Sequence, residues 1–180
     1  HTHRVAEYSL QTAARLEGTA DLTYLTFALH DIGKLMVPAD LICKPSALTA
    51  DEYRTVQQHP ELGAALIADI PQLKPAFDVI VAHHERWDGE GYPHRLRGEE
   101  IPLSARILAV ADTFDAMTTD RPYRKGLTAE AARQEIIRCA GTQFDPRVVE
   151  AFIAASPTLS RPRSVAVELL AANWYLTITS

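Results

Sequence analysis

Apolar residues recur at helical intervals over most of the chain. Between Arg4 and Leu16, the positions Val5, Tyr8, Leu10, Thr12, Ala13 and Leu16 fall near helical spacing, and Gly18 is placed to end the helix. Leu22 to His30 reads as a second, mostly apolar helix that stops around Asp31-Ile32-Gly33. Thr49-Ala50-Asp51-Glu52 has the form of a capping box, which predicts a helix over 50–58. Pro60 opens another at its first turn, carrying Leu62, Leu66, Ile67 and Ile70; Pro71 and Pro75 break it, and 76–85 forms the next. Residues 88–102, DGEGYPHRLRGEEIP, hold three Gly and two Pro and predict no regular helix. Leu103 to Met117 has an Ala-rich apolar face suited to the centre of a bundle, and Thr128 begins a helix that ends near Gly141. Asp145-Pro146 is a cap and first-turn proline for a final short helix to about Ala155. After Pro157 the stretch SVAVELLAANWYLTITS is rich in Val, Leu, Thr and aromatics and reads as a short strand or tail. The expected fold class is therefore all-α, a compact helical bundle over 1–156 with an extension over 157–180.

Composition narrows the function classes. The 180 residues carry 18 Lys+Arg against 23 Asp+Glu, a formal charge of −5, and 47% are hydrophobic. That suits one domain with a substantial core and excludes a disordered chain. A mildly acidic balance gives no support to binding a nucleic-acid polymer through its phosphates. No apolar run approaches the roughly 18 residues of a membrane span. Cys43 and Cys139 form neither a C-x-x-C pair nor a disulfide framework, which fits a reducing cytosol and a packing role; Met36 and Met117 read as core filler.

The histidines change the picture. His30-Asp31 with Lys34, His59-Pro60, the pair His83-His84, and Asp112 within AVADTFDA each lie near a predicted helix end or on the central helix. Imidazole nitrogen and carboxylate oxygen suit iron, manganese, zinc or nickel, and side chains from different helices converge in a bundle core. Adjacent helical residues point about 100° apart, so His30-Asp31 and His83-His84 favour a site wider than one ion, with an Asp able to bridge. Taken singly, His59 reads as a helix-start or surface residue and His83-His84 as ordinary helix-end histidines. The Arg121, Arg124 and Lys125 cluster would normally be a solvated face. Asp112 on an apolar helix needs a partner.

HDIGK at 30–34, His59-Pro60, HHERWDGEGYP at 83–93 and RILAVADTFDAMTTDRPYR at 106–124 closely resemble the HD-GYP domain family, a branch of the HD metal-dependent phosphohydrolases. The resemblance runs from His1 to about Phe152 in several spaced motifs. It implies an HD-type helical bundle and a bacterial, cytoplasmic signalling phosphodiesterase that hydrolyses cyclic di-GMP to linear pGpG or GMP. The implied metal ligands are His1, His30, Asp31, His59, His83, His84 and Asp112. Asp31 would bridge two divalent ions, iron or manganese, and a water between them would attack. Lys34 would serve catalysis and, with Arg121 and Arg124, hold substrate phosphate. Gly91, Tyr92 and Pro93 would form the loop beside the site. The family pattern continues with Gly where this chain has Arg95, which puts the loop's backbone there in question, and His94 is a spare histidine.

Two cations and two ligating aspartates would leave the bare site near about +2, a field that attracts a phosphodiester in an acidic protein. Alternatives are a degenerate cyclic di-GMP-binding sensor module, an HD-type hydrolase for another nucleotide, and an interaction domain with a structural metal. Starting at His1, the chain reads as truncated, so an upstream sensor or receiver domain is expected, as is a homodimer. Family members with a third ion use a Glu one turn before the position of His1, so two ions are expected here.

Overall fold

The computed structural model of the chain describes residues 1–120 and 125–155. Its elements are α1 (Thr2–Ala13), α2 (Tyr24–Ala28), a 3-10 turn (Ile32–Met36), α3 (Ala39–Ile42), α4 (Ala50–Val56) and α5 (His59–Ile67). These are followed by α6 (Lys74–Ala82), α7 (Leu103–Thr118), α8 (Ala129–Arg138) and α9 (Pro146–Ala155), with short 3-10 turns at Pro71–Leu73 and Gly98–Glu100. No strand occurs among the described residues, as the all-α expectation requires; a lone bridge pairs Ala140 with Phe144. Arg121, Arg124 and the segment after Pro157 lie outside the described residues.

Helix α7 is the axis. It packs against α1, α6, α8 and α9, and Ile107, Leu108, Val110 and Ala111 on it are fully buried with Val5, Phe27 and Phe152. Removing a ring such as that of Phe152 would cost about 3–5 kcal/mol in lost burial and residual cavity. The caps read from sequence are present. Thr49 accepts from the Glu52 amide while Glu52 reaches back to the Thr49 amide at 2.7 Å, Thr128 caps α8, and Asp145 accepts from the Arg147 amide.

Several expectations are corrected. The second helix is shorter than expected, starting at Tyr24 and stopping at Ala28, and a separate 3-10 turn follows from Ile32. Pro75 lies in the first turn of α6, where its missing amide would have no helical partner anyway, so it starts that helix instead of preceding it. Helix α6 ends at Ala82 rather than Glu85, with His83 as its C-cap still in the helical conformation. Met36 is 56% exposed and Cys43 is also exposed, so neither is core.

The 88–102 region has no helix beyond one 3-10 turn, yet it is stitched to its surroundings. The Trp87 and Asp88 amides donate to Gln143 and Thr142 carbonyls at 3.1 and 2.8 Å, and the Tyr92 amide donates to the His84 carbonyl at 3.2 Å. The Tyr92–Pro93 peptide is cis. Gly91 passes so close to the His84–Arg86 backbone that a Cβ there would collide with it.

Candidate metal centre and cleft

Three histidines sit where helices end or begin, and the main chain fixes each in the same way. Nδ1 of His30, His59 and His83 lies 2.8, 2.9 and 2.8 Å from the carbonyls of Phe27, Val56 and Ile80, each three residues earlier. Carbonyls at helix C-termini lack helical donors, and an imidazole N–H supplies one. A carbonyl only accepts, so the proton is on Nδ1 and Nε2 presents its lone pair. All three rings are buried.

Those lone pairs converge on Asp31. Its Oδ1 is 3.5 Å from His59 Nε2 and 3.8 Å from His83 Nε2, while Oδ2 is 3.5 Å from His30 Nε2 and 2.5 Å from Lys34 Nζ. Donor atoms of Asp31, His59, His83 and His84 lie within 4.8 Å of one another, as do those of His1, His30 and Asp31. Asp31 is common to both groups. His59 Nε2 and His83 Nε2 are 3.1 Å apart, and two lone pairs at that distance repel unless a positive charge lies between them. His30 Nε2 is buried and makes no hydrogen bond. The residues present therefore fit a cation-binding centre of mixed nitrogen and oxygen donors.

The electrostatics agree. Burial, reinforced by the nearby His83, pushes His59 down to about 3, and burial with His83 and His59 lowers His84 well below the ordinary histidine value. Both are neutral donors at neutral pH. Burial works against the charged form of Asp31, but Lys34 and His30 outweigh it and hold the carboxyl well below its usual range. At His30, burial is outweighed by the Asp31 and Asp112 carboxylates, so its affinity for a proton, and by the same field for any cation, is raised.

His1 is held differently. Its Nδ1 is 2.9 Å from Asp115 Oδ2, leaving Nε2 3.3 Å from Asp112 Oδ1. Asp115 is buried one turn beyond Asp112 on α7 and also accepts from Arg4 Nε at 2.5 Å, while Arg4 reaches the Thr119 hydroxyl at 2.9 Å. Burial opposes its charge, but the hydrogen bonds from His1 and Arg4 prevail and lower its pKa. Of the seven expected ligands, six fall in the two donor groups, and Asp112 joins the edge through His1.

Packing brings the central pieces together. In the 3-10 turn, Gly33 lies against the His59 carbonyl and the Gly63 amide, where any Cβ would overlap backbone. That contact seats Asp31 beside α5. Beyond His84 opens a cleft of about 450 Å³ that reaches Asp112, with Gly91, Tyr92 and Pro93 on its wall. The Tyr92 ring stacks on His84 at 4.8 Å between centroids and 19° between planes.

Two residues that the sequence reading left out organise this site. Asp115 orients His1, and its signal was a second carboxylate three positions after Asp112 on an apolar helix. Glu85 is buried and accepts from the His94 and Leu96 amides at 2.7 and 3.0 Å, which gives His94 a backbone role. Between those amides Arg95 adopts φ +55°, the left-handed conformation that glycine enters freely. The loop thus keeps a glycine-like turn without the glycine.

Residues 1–148 match the family model described as HD domain. A cyclic di-GMP phosphodiesterase of Thermotoga maritima is 41% identical over 159 residues, which cover 85% of this chain and 43% of that protein. A 3′3′-cGAMP-specific phosphodiesterase of Vibrio cholerae is 38% identical over 155 residues, 83% of this chain and 30% of that protein. The chain thus spans less than half the length of these curated relatives. Among solved structures, a cyclic GMP-AMP specific phosphodiesterase of V. cholerae superposes with a TM-score of 0.67 at 22% identity, covering 88% of this chain and 44% of that one.

Proposed function

Because this chain belongs to the HD domain family, we propose that it is a metal-dependent phosphodiesterase opening cyclic di-GMP to linear pGpG, with further turnover giving GMP. One observation carries the reading: the two oxygens of Asp31 face two separate histidine groups, as a carboxylate shared by two cations must. His59, His83 and His84 would hold one ion and His1 and His30 the other, with Asp112 at the edge. Mixed imidazole and carboxylate donors suit iron, manganese, zinc or nickel, and the resemblance to the HD-GYP family favours iron or manganese among them. Divalent ions there supply Lewis-acid polarisation of a phosphoryl oxygen and an acidified water.

The chain's own groups do the rest. Lys34 Nζ, 2.5 Å from Asp31, stands at the edge of the centre to neutralise a non-bridging phosphate oxygen, and Arg121 and Arg124 join it by sequence resemblance. Gly91, Tyr92 and Pro93 bound the nucleotide in the cleft. Water adds to phosphorus, the bond from phosphorus to the ribose O3′ breaks, and a proton passes to the departing oxygen.

The longer relatives fit an arrangement in which a sensor or receiver region accompanies a catalytic domain at 1–156 in a cytoplasmic signalling protein, with homodimerisation part of the same reading. No described helix is long and apolar enough to cross a membrane. The relative named for 3′3′-cGAMP supports a second reading, a cyclic dinucleotide with one adenine. Protein purified without oxygen is assayed for metal content and incubated with each dinucleotide, and products are separated by chromatography. Linear product from cyclic di-GMP at the higher kcat/KM supports the first reading. Preference for 3′3′-cGAMP selects the second, and binding without any linear product selects the sensor module.

A further inference from the structure

Arg95 is the non-glycine residue held at positive φ among the described residues, and its turn is built around a buried anion. Glu85, 3% exposed, receives the amides on either side of it, from His94 and Leu96. Two amides flanking a left-handed residue and converging on one carboxylate fix the turn, and with it the direction of the Arg95 side chain. That side chain is exposed on the wall of the cleft that also holds His84, Asp112 and Tyr92. Among the described residues it makes no ion pair or hydrogen bond. The other arginine on that wall, Arg86, is committed to Asp88 through two contacts of 3.0 and 2.6 Å. Glu90 and Asp112 add negative charge to the same cleft.

A cyclic dinucleotide brings two phosphodiester charges. One lies at the His/Asp centre while it is cleaved; the other stays in a cleft whose remaining described charges are carboxylates or a paired arginine. A guanidinium presents a planar fork matched to phosphate. We propose that Arg95 binds the phosphate that is not being cleaved, with Glu85 as its positioning residue. This rests on the cyclic-dinucleotide reading above and names a substrate contact within it.

The test compares the metal-loaded full chain with Arg95→Asn, a residue that tolerates left-handed backbone, and with Arg95→Lys, which keeps the charge. Substrates are cyclic di-GMP, cyclic di-AMP and bis(p-nitrophenyl) phosphate, which has a single phosphodiester. The expected result is a loss in kcat/KM for cyclic di-GMP, carried by KM, at least tenfold greater than the loss for the small diester. Affinity for cyclic di-AMP should fall in parallel, and Arg95→Lys should recover part of the effect. Equal losses on the cyclic and small diesters overturn the assignment, as does no loss; a loss confined to cyclic di-GMP shows that Arg95 reads the base instead. The wild-type chain separates the two levels. If it binds cyclic di-GMP without cleaving it, the catalytic reading falls while Arg95 is judged by the same comparison in Kd. If it neither binds nor cleaves, both fall.

Discussion

The two flanks of Asp31 are built from different materials. On one, His59 and His83 are buried and pinned by main-chain carbonyls at helix ends. On the other, His1 has a side chain 27% exposed and is pinned by Asp115, which is itself held by Arg4. A carbonyl at a helix end cannot be mutated away, so the first flank has the rigidity of the backbone. The second shares that main-chain hold at His30, but at His1 it depends on a relay of replaceable side chains. The centre therefore joins a flank fixed by folding to a flank open to tuning, with Asp31 across the boundary.

Asp31→Ala removes the residue both flanks share and should break the contrast outright. Turnover is expected to fall by roughly a thousandfold, the equivalent of about 4 kcal/mol, and metal content to fall with it; retention of both near the parent level would refute the shared-carboxylate reading. Gly33→Ala attacks the backbone-held flank where it meets Asp31. Its methyl would meet the His59 carbonyl and the Gly63 amide, so the fold should lose about 2–3 kcal/mol, read as a lower thermal midpoint.

Asp115→Asn attacks the other flank. The amide keeps the size but gives up the charge facing His1 and Arg4, so affinity for one of two manganese ions should fall roughly ten- to a hundredfold in calorimetric titration, the other staying put. Equal weakening of both ions would show that the flanks are coupled and the distinction false. Lys34→Ala should move neither ion and lower kcat/KM by about tenfold through a lost charge-assisted contact to phosphate. Loss of metal in that variant would return Lys34 to a structural role through its 2.5 Å contact with Asp31.

The sequence made the backbone-held flank easier to read. Capping patterns at Thr49, Thr128 and Asp145 and the apolar run of α7 depend on neighbours in the chain, and each appears in the structure. His30, His59 and His83 were named from spaced motifs that resemble a family, while the carbonyls three residues back that hold their rings are seen only in the structure. Asp115 and Glu85 resisted because their partners lie far along the chain or across a loop: His1 is 114 positions from Asp115, and Leu96 is 11 from Glu85. No local pattern tells a buried positioning carboxylate from a surface one. Met36 and Cys43 failed in the opposite sense: in a short turn no helical period says which side faces solvent, and hydrophobicity alone pointed inward.

The stitched 88–102 segment has a consequence for affinity. Its composition is that of a freely moving chain, yet amides at Trp87, Asp88 and Tyr92 and the two held by Glu85 are already spent on fixed partners. Ordering a loose loop around a ligand costs about 1–2 kcal/mol of backbone entropy per residue. Here folding has borne that cost in advance, so the wall is preorganised and more of each contact's strength is left to hold a ligand.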